Sequence, residues 1–270
     1  MTVFDTALDR FGHWLARHLG REKRGEEPYI PSDAKALRRT LRVGDVLLVA
    51  SNSKISTAVK YLTQSTWSHA AFYVGEALGP QPDGVRHHLI EVTPSEGCIA
   101  VPLAKYERYH TRICRPVGLT DADLEEVVRF MISRLGAQYD MRNIFDLARY
   151  LFPTPPVPAR WRRRMIAFGS GQPTRTICST LIAEAFGRIS YPILPRIERL
   201  TGEENSISPF RRREILHIRH HSLYAPADFD LSPYFEIVKP TLAEGFNYKG
   251  LTWARDDEGR AVVRRKEQGA

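Results

Sequence analysis

The stretch VGDVLLVA, residues 43–50, decides the fold, because the apolar period of the chain changes there. Upstream, Phe4, Leu8, Phe11, Leu15 and Leu19 recur at spacings of three and four, with Trp14 beside the stripe and Gly20 as a stop. That spacing predicts an amphipathic helix over 3–19, followed by a charged, proline-broken linker. From Val43 onward, short β-rich runs recur instead: 43–50, SHAAFYVG at 68–75, HHLIEV at 87–92, then 98–103 and 111–117. Gly, Pro, Asp and Ser separate them, which predicts closely spaced strands in one antiparallel sheet. The segment SKISTAVKYLTQ between the first two runs reads as a helix.

Thr120 with Asp123 three residues on is a helix start, and Gly136 is the matching stop, so a helix is expected over 121–135. A further helix is expected over 141–152. Residues 153–175, PTPPVPARWRRRMIAFGSGQPTR, interrupt with prolines and a basic aromatic centre before Cys178 opens a pattern in which Leu181, Ile182, Ala185 and Phe186 share a face. Tyr234 to Val238 reads as a strand. Strands followed by helices make the class α+β, a central antiparallel sheet packed against helices that include the Cys178 helix. The expected organisation is an N-terminal helix and linker over 1–40, a catalytic domain over 41–240 with the 153–175 insert, and a tail over 241–270.

The bulk numbers narrow the function classes. Thirty-nine Lys and Arg against 31 Asp and Glu give a net charge of +8, with basic clusters at 160–164, 211–213 and 264–266. Such clusters attract phosphate-bearing partners or are simply solvated faces. The basic runs lack a regular aromatic stacking platform and no standard nucleic-acid-binding motif is present, so nucleic acid is disfavoured as a partner. The start of the chain carries Asp5 and Asp9 where a signal peptide needs an apolar core, and no run approaches the length of a membrane span. A cytoplasmic location is expected. Three cysteines, Cys98, Cys114 and Cys178, are too few for a disulfide framework or a zinc site, so free thiols, no metal and no cofactor are expected.

Cysteine chemistry needs a sulfur of lowered pKa and an imidazole to exchange its proton. Cys178 lies at the start of a predicted helix, where free backbone N–H groups and the positive end of the helix dipole favour a thiolate. The same amides suit an oxyanion. His69 sits in a strand after a turn-like Thr-Gln-Ser-Thr, and Glu91 on the next strand can face it if the two pair. Taken singly, a cysteine opening a helix reads as a small core hydrophobe and a strand histidine as a structural one. Spacing by itself therefore does not establish a triad. Cys98 and Cys114, in strands with no convincing base nearby, are read as buried structural thiols.

The ordered set Gly44-Asp45-Val46, Ser68-His69 with a strand ending at Gly75, Leu89-Ile90-Glu91, Tyr139-Asp140, and Cys178-Ser179 opening a helix resembles the circularly permuted papain-like amidases of NlpC type, in particular the YiiX-like branch. The resemblance covers roughly residues 41–190. It implies a permuted papain-like fold, with the histidine strand ahead of the cysteine helix. It also implies Cys178 as nucleophile, His69 as base and then acid, and Glu91 as the group that orients His69. Gly44 and Asp45 are read as structural. Tyr139, Trp67 and Trp161 are the candidate substrate-binding residues.

Amide, ester and thioester substrates all suit such a site, so the substrate is a small molecule, lipid or peptide. Two features lean toward an acyl lipid: the N-terminal stripe flanked by Arg10, Arg17, Arg21, Lys23 and Arg24, and the insert, where Trp161, Met165, Ile166 and Phe168 sit among arginines. Peripheral membrane contact through these two segments, and a cover over the site built from 153–175, are the corresponding expectations. The alternative is a non-catalytic binding module on the same fold that holds anionic membrane or nucleic acid.

Overall fold

The computed structural model describes residues 34–137, 177–199, 214–217 and 224–249, apart from 82, 83, 94, 244, 246 and 248. Its centre is β1 (Val46–Ala50), flanked by β2 (His69–Tyr73) on one side and β5 (His110–Pro116) on the other. Beyond β2 lie β3 (Leu89–Thr93) and the edge strand β4 (Gly97–Val101). Beyond β5 lies β8 (Phe235–Val238). The order is β4-β3-β2-β1-β5-β8, and every pairing is antiparallel. The five strands expected from 43 to 117 thus form one sheet, and the run near 234–238 supplies a sixth. A separate hairpin, β6 (Arg196–Arg199) with β7 (Glu214–His217), was not legible in the sequence.

Both faces of β1 are covered, which is why it reads as an unbroken apolar run. Val46 and Leu48 enter one cluster with Ala70, Phe72 and Ile90 of the sheet, Phe130 and Met131 of α3 (Asp121–Ser133), and Ile182 and Phe186 of α4 (Ile177–Arg188). Phe229, from the short α5 (Pro226–Leu231), closes the end of that cluster against Phe235 of β8, their rings edge-on at 5.5 Å. Leu47 and Val49 enter the other cluster with Ala71, Leu89 and Ile113. That second face is covered by Leu37 of α1 (Ala34–Thr40) and by Leu103 and Tyr106 of the 3-10 turn Leu103–Tyr106. The end of the expected linker is therefore helical, with Ala36 and Leu37 buried. Three apolar residues in seven, all in its first four positions, are too little periodicity to announce a helix of that length. The remaining helices among the described residues are α2 (Lys54–Thr63), capped by the Ser53 hydroxyl, and α6 (Pro240–Ala243).

The sequence signals at the joints act as expected. The Thr120 hydroxyl accepts from the Asp123 amide while the Asp123 carboxylate accepts from the Thr120 amide, a reciprocal cap on α3. Past its end, Gly136 takes φ +81° and its N–H donates to the Cys98 carbonyl at 2.9 Å, tying the helix terminus to β4. Gly44 enters β1 at φ +94°, and a Cβ there would lie 2.7 Å from Leu124 Cδ1, so the position accepts only glycine without movement. The buried Asp45 carboxylate accepts from the Arg42 amide at 2.8 Å and from the Arg115 guanidinium at 2.9 and 2.8 Å. Gly44 and Asp45 thus shape the strand entry, as the sequence reading has it.

Candidate active site

β2 and β3 are hydrogen-bonded only at their far ends, where Phe72 pairs with Ile90 and Tyr73 with Leu89. Continuing that register would place Ala70 opposite Val92, but the ladder stops before it. The two strands part there, and α4 packs across both with its N-terminal turn at the gap. The Ala70 amide, left without a strand partner on that side, donates to the sulfur of Cys178 together with the Ser179 amide of the helix terminus. One strand amide and one amide of the helix terminus thus converge on a single sulfur.

His69, which begins β2, hydrogen-bonds the same sulfur. Its Nε2 lies 2.8 Å from Glu91 Oε2, so Nδ1 is the nitrogen left for Cys178. The extended register sets Glu91 opposite Ala71, one diagonal from His69 on the same face, and this brings the two side chains into contact. Glu91 is 1 % exposed, Cys178 5 %, and the His69 side chain 18 %, so the imidazole is the edge of the group that meets solvent. Two further groups hold Glu91: the Lys105 ammonium at Oε1 and the Tyr106 hydroxyl at Oε2, both from the 3-10 turn after β4.

The electrostatics follow from this packing. Burial pushes His69 toward neutrality, but the charges of Cys178 and Glu91 outweigh it and raise its pKa to about 10. Burial would raise Cys178 too, yet the His69 charge and hydrogen bond, with the two amides, bring it below the usual thiol value. Burial alone would raise Glu91, whereas His69 and then Lys105 hold it down at about 2. These influences together favour a thiolate–imidazolium pair backed by an ionised carboxylate. Cys98 and Cys114 contrast with it: burial raises Cys98 to about 11 and Cys114 further still. Both are buried free thiols, as read from the sequence.

A stability prediction follows with its sign. Glu91 has its folded pKa depressed, so its contribution is complete above the ordinary value of 4.5 and is lost as the pH falls from there toward 2. His69 has its folded pKa raised, so its contribution is complete below 6.5 and is lost as the pH rises toward 10. Chemical denaturation across pH should therefore show stability falling off on both sides, with Glu91→Gln flattening the acid side. An acid limb of unchanged steepness in that variant would contradict the assignment.

The structure brings together Cys178, His69 and Glu91. It does not bring Trp67 into their chain of contacts. The Trp67 indole is 3 % exposed, donates to Asp230 Oδ2 at 2.9 Å, and lies under the Arg112 guanidinium, which grips the same carboxylate at 2.7 and 2.8 Å. Trp67 thus ties β2's entry to α5 and β5 and has its polar edge committed there. Tyr139 and Trp161, the 153–175 insert, the helices over 3–19 and 141–152, and the tail from 251 lie outside the described residues. Lys105 and Tyr106 escaped the sequence reading, since a Lys-Tyr pair after a strand carries no signal until the turn folds back. Among the described residues, no group of three or more His, Cys, Asp or Glu side chains could hold a metal ion, and no helix is long and apolar enough to cross a membrane.

No family model matches this chain, and no curated protein matches it. Among solved structures, the chain is similar to the crystal structure of metalloprotein yiiX from Escherichia coli O157:H7, DUF1105, at 15 % identity and a TM-score of 0.42, over 73 % of this chain and 96 % of that one.

Proposed function

We propose that this protein is a cysteine hydrolase that cleaves an amide or ester bond through an acyl-thioester on Cys178, with a permuted papain-like arrangement of histidine strand before cysteine helix. The observation that carries the reading is the unbroken chain from the Cys178 sulfur through His69 to the buried Glu91 carboxylate. A sulfur held as thiolate inside a core needs a compensating charge, and a structural cysteine has no use for one.

In this mechanism the thiolate adds to the substrate carbonyl carbon, and the electron pair of the carbonyl moves to oxygen. Amides at the positive end of α4 stabilise the resulting oxyanion in this reading. His69 in its imidazolium form gives its proton to the departing amine or alkoxide as that bond breaks, leaving the acyl group on sulfur. Neutral His69 then takes a proton from water as the water oxygen attacks the thioester. Collapse releases the carboxylic acid, restores the thiolate and returns the imidazolium. Glu91 keeps Nε2 of His69 engaged throughout, so that Nδ1 stays aimed at the sulfur. The choice of an acyl lipid as substrate, with peripheral membrane contact and a cover over the site, draws its support from the sequence of the N-terminal stripe and of residues 153–175.

The test separates the enzyme from a binding module on the same scaffold. At neutral pH, iodoacetamide should modify Cys178 and leave Cys98 and Cys114 unmodified in the folded chain, read by peptide mass spectrometry. Equal, slow modification of all three would overturn the hydrolase reading.

A further inference from the structure

Orienting an imidazole takes one carboxylate oxygen, yet Glu91 is held by three side chains. His69 occupies Oε2, the Tyr106 hydroxyl donates to that same oxygen, and the Lys105 ammonium takes Oε1. The last two arrive on adjacent residues of a single 3-10 turn whose Leu103 and Tyr106 side chains are anchored in the second face of the core. Tyr106 is buried, and its ring lies 6.0 Å from that of His69. Burial, and next the Glu91 charge, hold its phenol well above 10, so it stays a donor. Lys105 stands at the solvent end of the row, its side chain 39 % exposed. The contacts therefore favour charges of alternating sign along one row: thiolate, imidazolium, carboxylate, ammonium.

We propose that Lys105 and Tyr106 are positioning residues of the Cys178–His69 pair: by clamping both oxygens of Glu91 and sharing its negative charge, they fix its orientation and limit how tightly it holds the imidazolium. The consequence for the proposed reaction is direct. A carboxylate bound only to His69 would grip the proton that the imidazolium must hand to the leaving group. With Tyr106 and Lys105 drawing on the same charge, His69 remains a usable acid. The inference rests on the hydrolase reading for the role of Cys178 and adds to it the residues that tune the relay.

The groups that face this line are His69 from β2, Lys105 and Tyr106 from the turn, Cys178 from α4, Cys98 from β4, which senses the Glu91 charge, and Glu96, whose charge Tyr106 senses. Removing a positive charge or a hydrogen-bond donor from beside an acid raises that acid's pKa. The experiment is the pH dependence of Cys178 alkylation by iodoacetamide in the full chain, for the native sequence and for Lys105→Met, Lys105→Arg and Tyr106→Phe. Lys105→Met should move the inflections to higher pH by about one unit, less at high salt, and Lys105→Arg should restore them. Tyr106→Phe, which keeps the ring in the core, should move them in the same direction by about half a unit. A residue that only supports the fold would lower thermal stability and leave the inflections in place. Inflections unchanged in Lys105→Met would overturn the proposal. If Tyr106→Phe does not fold, the two Lys105 variants decide the matter, since that side chain is partly exposed. A native profile with no inflection below the ordinary thiol value would overturn the hydrolase reading and this proposal with it, whereas a depressed native inflection that ignores both residues overturns the proposal alone.

Discussion

His69→Ala lowers the rate at which iodoacetamide alkylates Cys178 at neutral pH by about a hundredfold or more. The size follows from what remains at the sulfur once the imidazole is gone. Burial raises the thiol, and His69 supplies the largest opposing influence, by charge and then by hydrogen bond; only the amides of Ala70 and Ser179 are left to counter it. Cys98, which is buried without such a partner, shows where that leads, at about 11. A thiol near its ordinary pKa is ionised to only about one part in a hundred at pH 7. The control is Glu91→Gln, which leaves the imidazole in place and should reduce the rate much less. An alkylation rate in His69→Ala equal to that of the native chain would show that the helix terminus alone activates the sulfur.

The second large effect is on turnover. Against a panel of acyl-ester, acyl-amide and peptide probes, whichever substrate the native chain hydrolyses should lose at least about four orders of magnitude in kcat for Cys178→Ala. Cys178→Ser should be nearly as impaired, because a hydroxyl in this setting has no lowered pKa to exploit. Glu91→Gln should retain a reduced, measurable rate, since an amide can occupy the space but cannot balance the imidazolium. Full activity in Cys178→Ala contradicts the mechanism outright. Equal tolerance at Cys178, His69 and Glu91 favours the binding module.

Much of the scaffold was legible from local chemistry. β-rich runs such as VLLVA and HAAFY carry their strand character in their composition, and Thr120 with Asp123 and Gly136 marks a helix by capping geometry that spans only a few residues. Cys178 announces itself by its place ahead of Leu181, Ile182, Ala185 and Phe186. The pairing of Arg196–Arg199 with Glu214–His217 gave no such signal, since each strand is only four residues long and the first is mostly charged. Trp67, two residues ahead of His69 and outside β2, has its indole N–H committed to Asp230, 163 positions away, a partner that no local pattern announces.

By itself, then, the sequence determined most of the strands and helices of the central sheet and its cover, that Cys178 opens one of those helices, and that His69 and Glu91 lie on successive strands. Propensity, capping and periodicity act within a few residues and can be read without knowing what packs on what. Only the tertiary structure decided that β2 and β3 part beyond Phe72 and Ile90, that the freed Ala70 amide meets the sulfur, and that Lys105 and Tyr106 close on Glu91. Those contacts depend on strand register and on where a helix crosses a sheet, which are set by the summed packing of two core faces and by no residue's own preference.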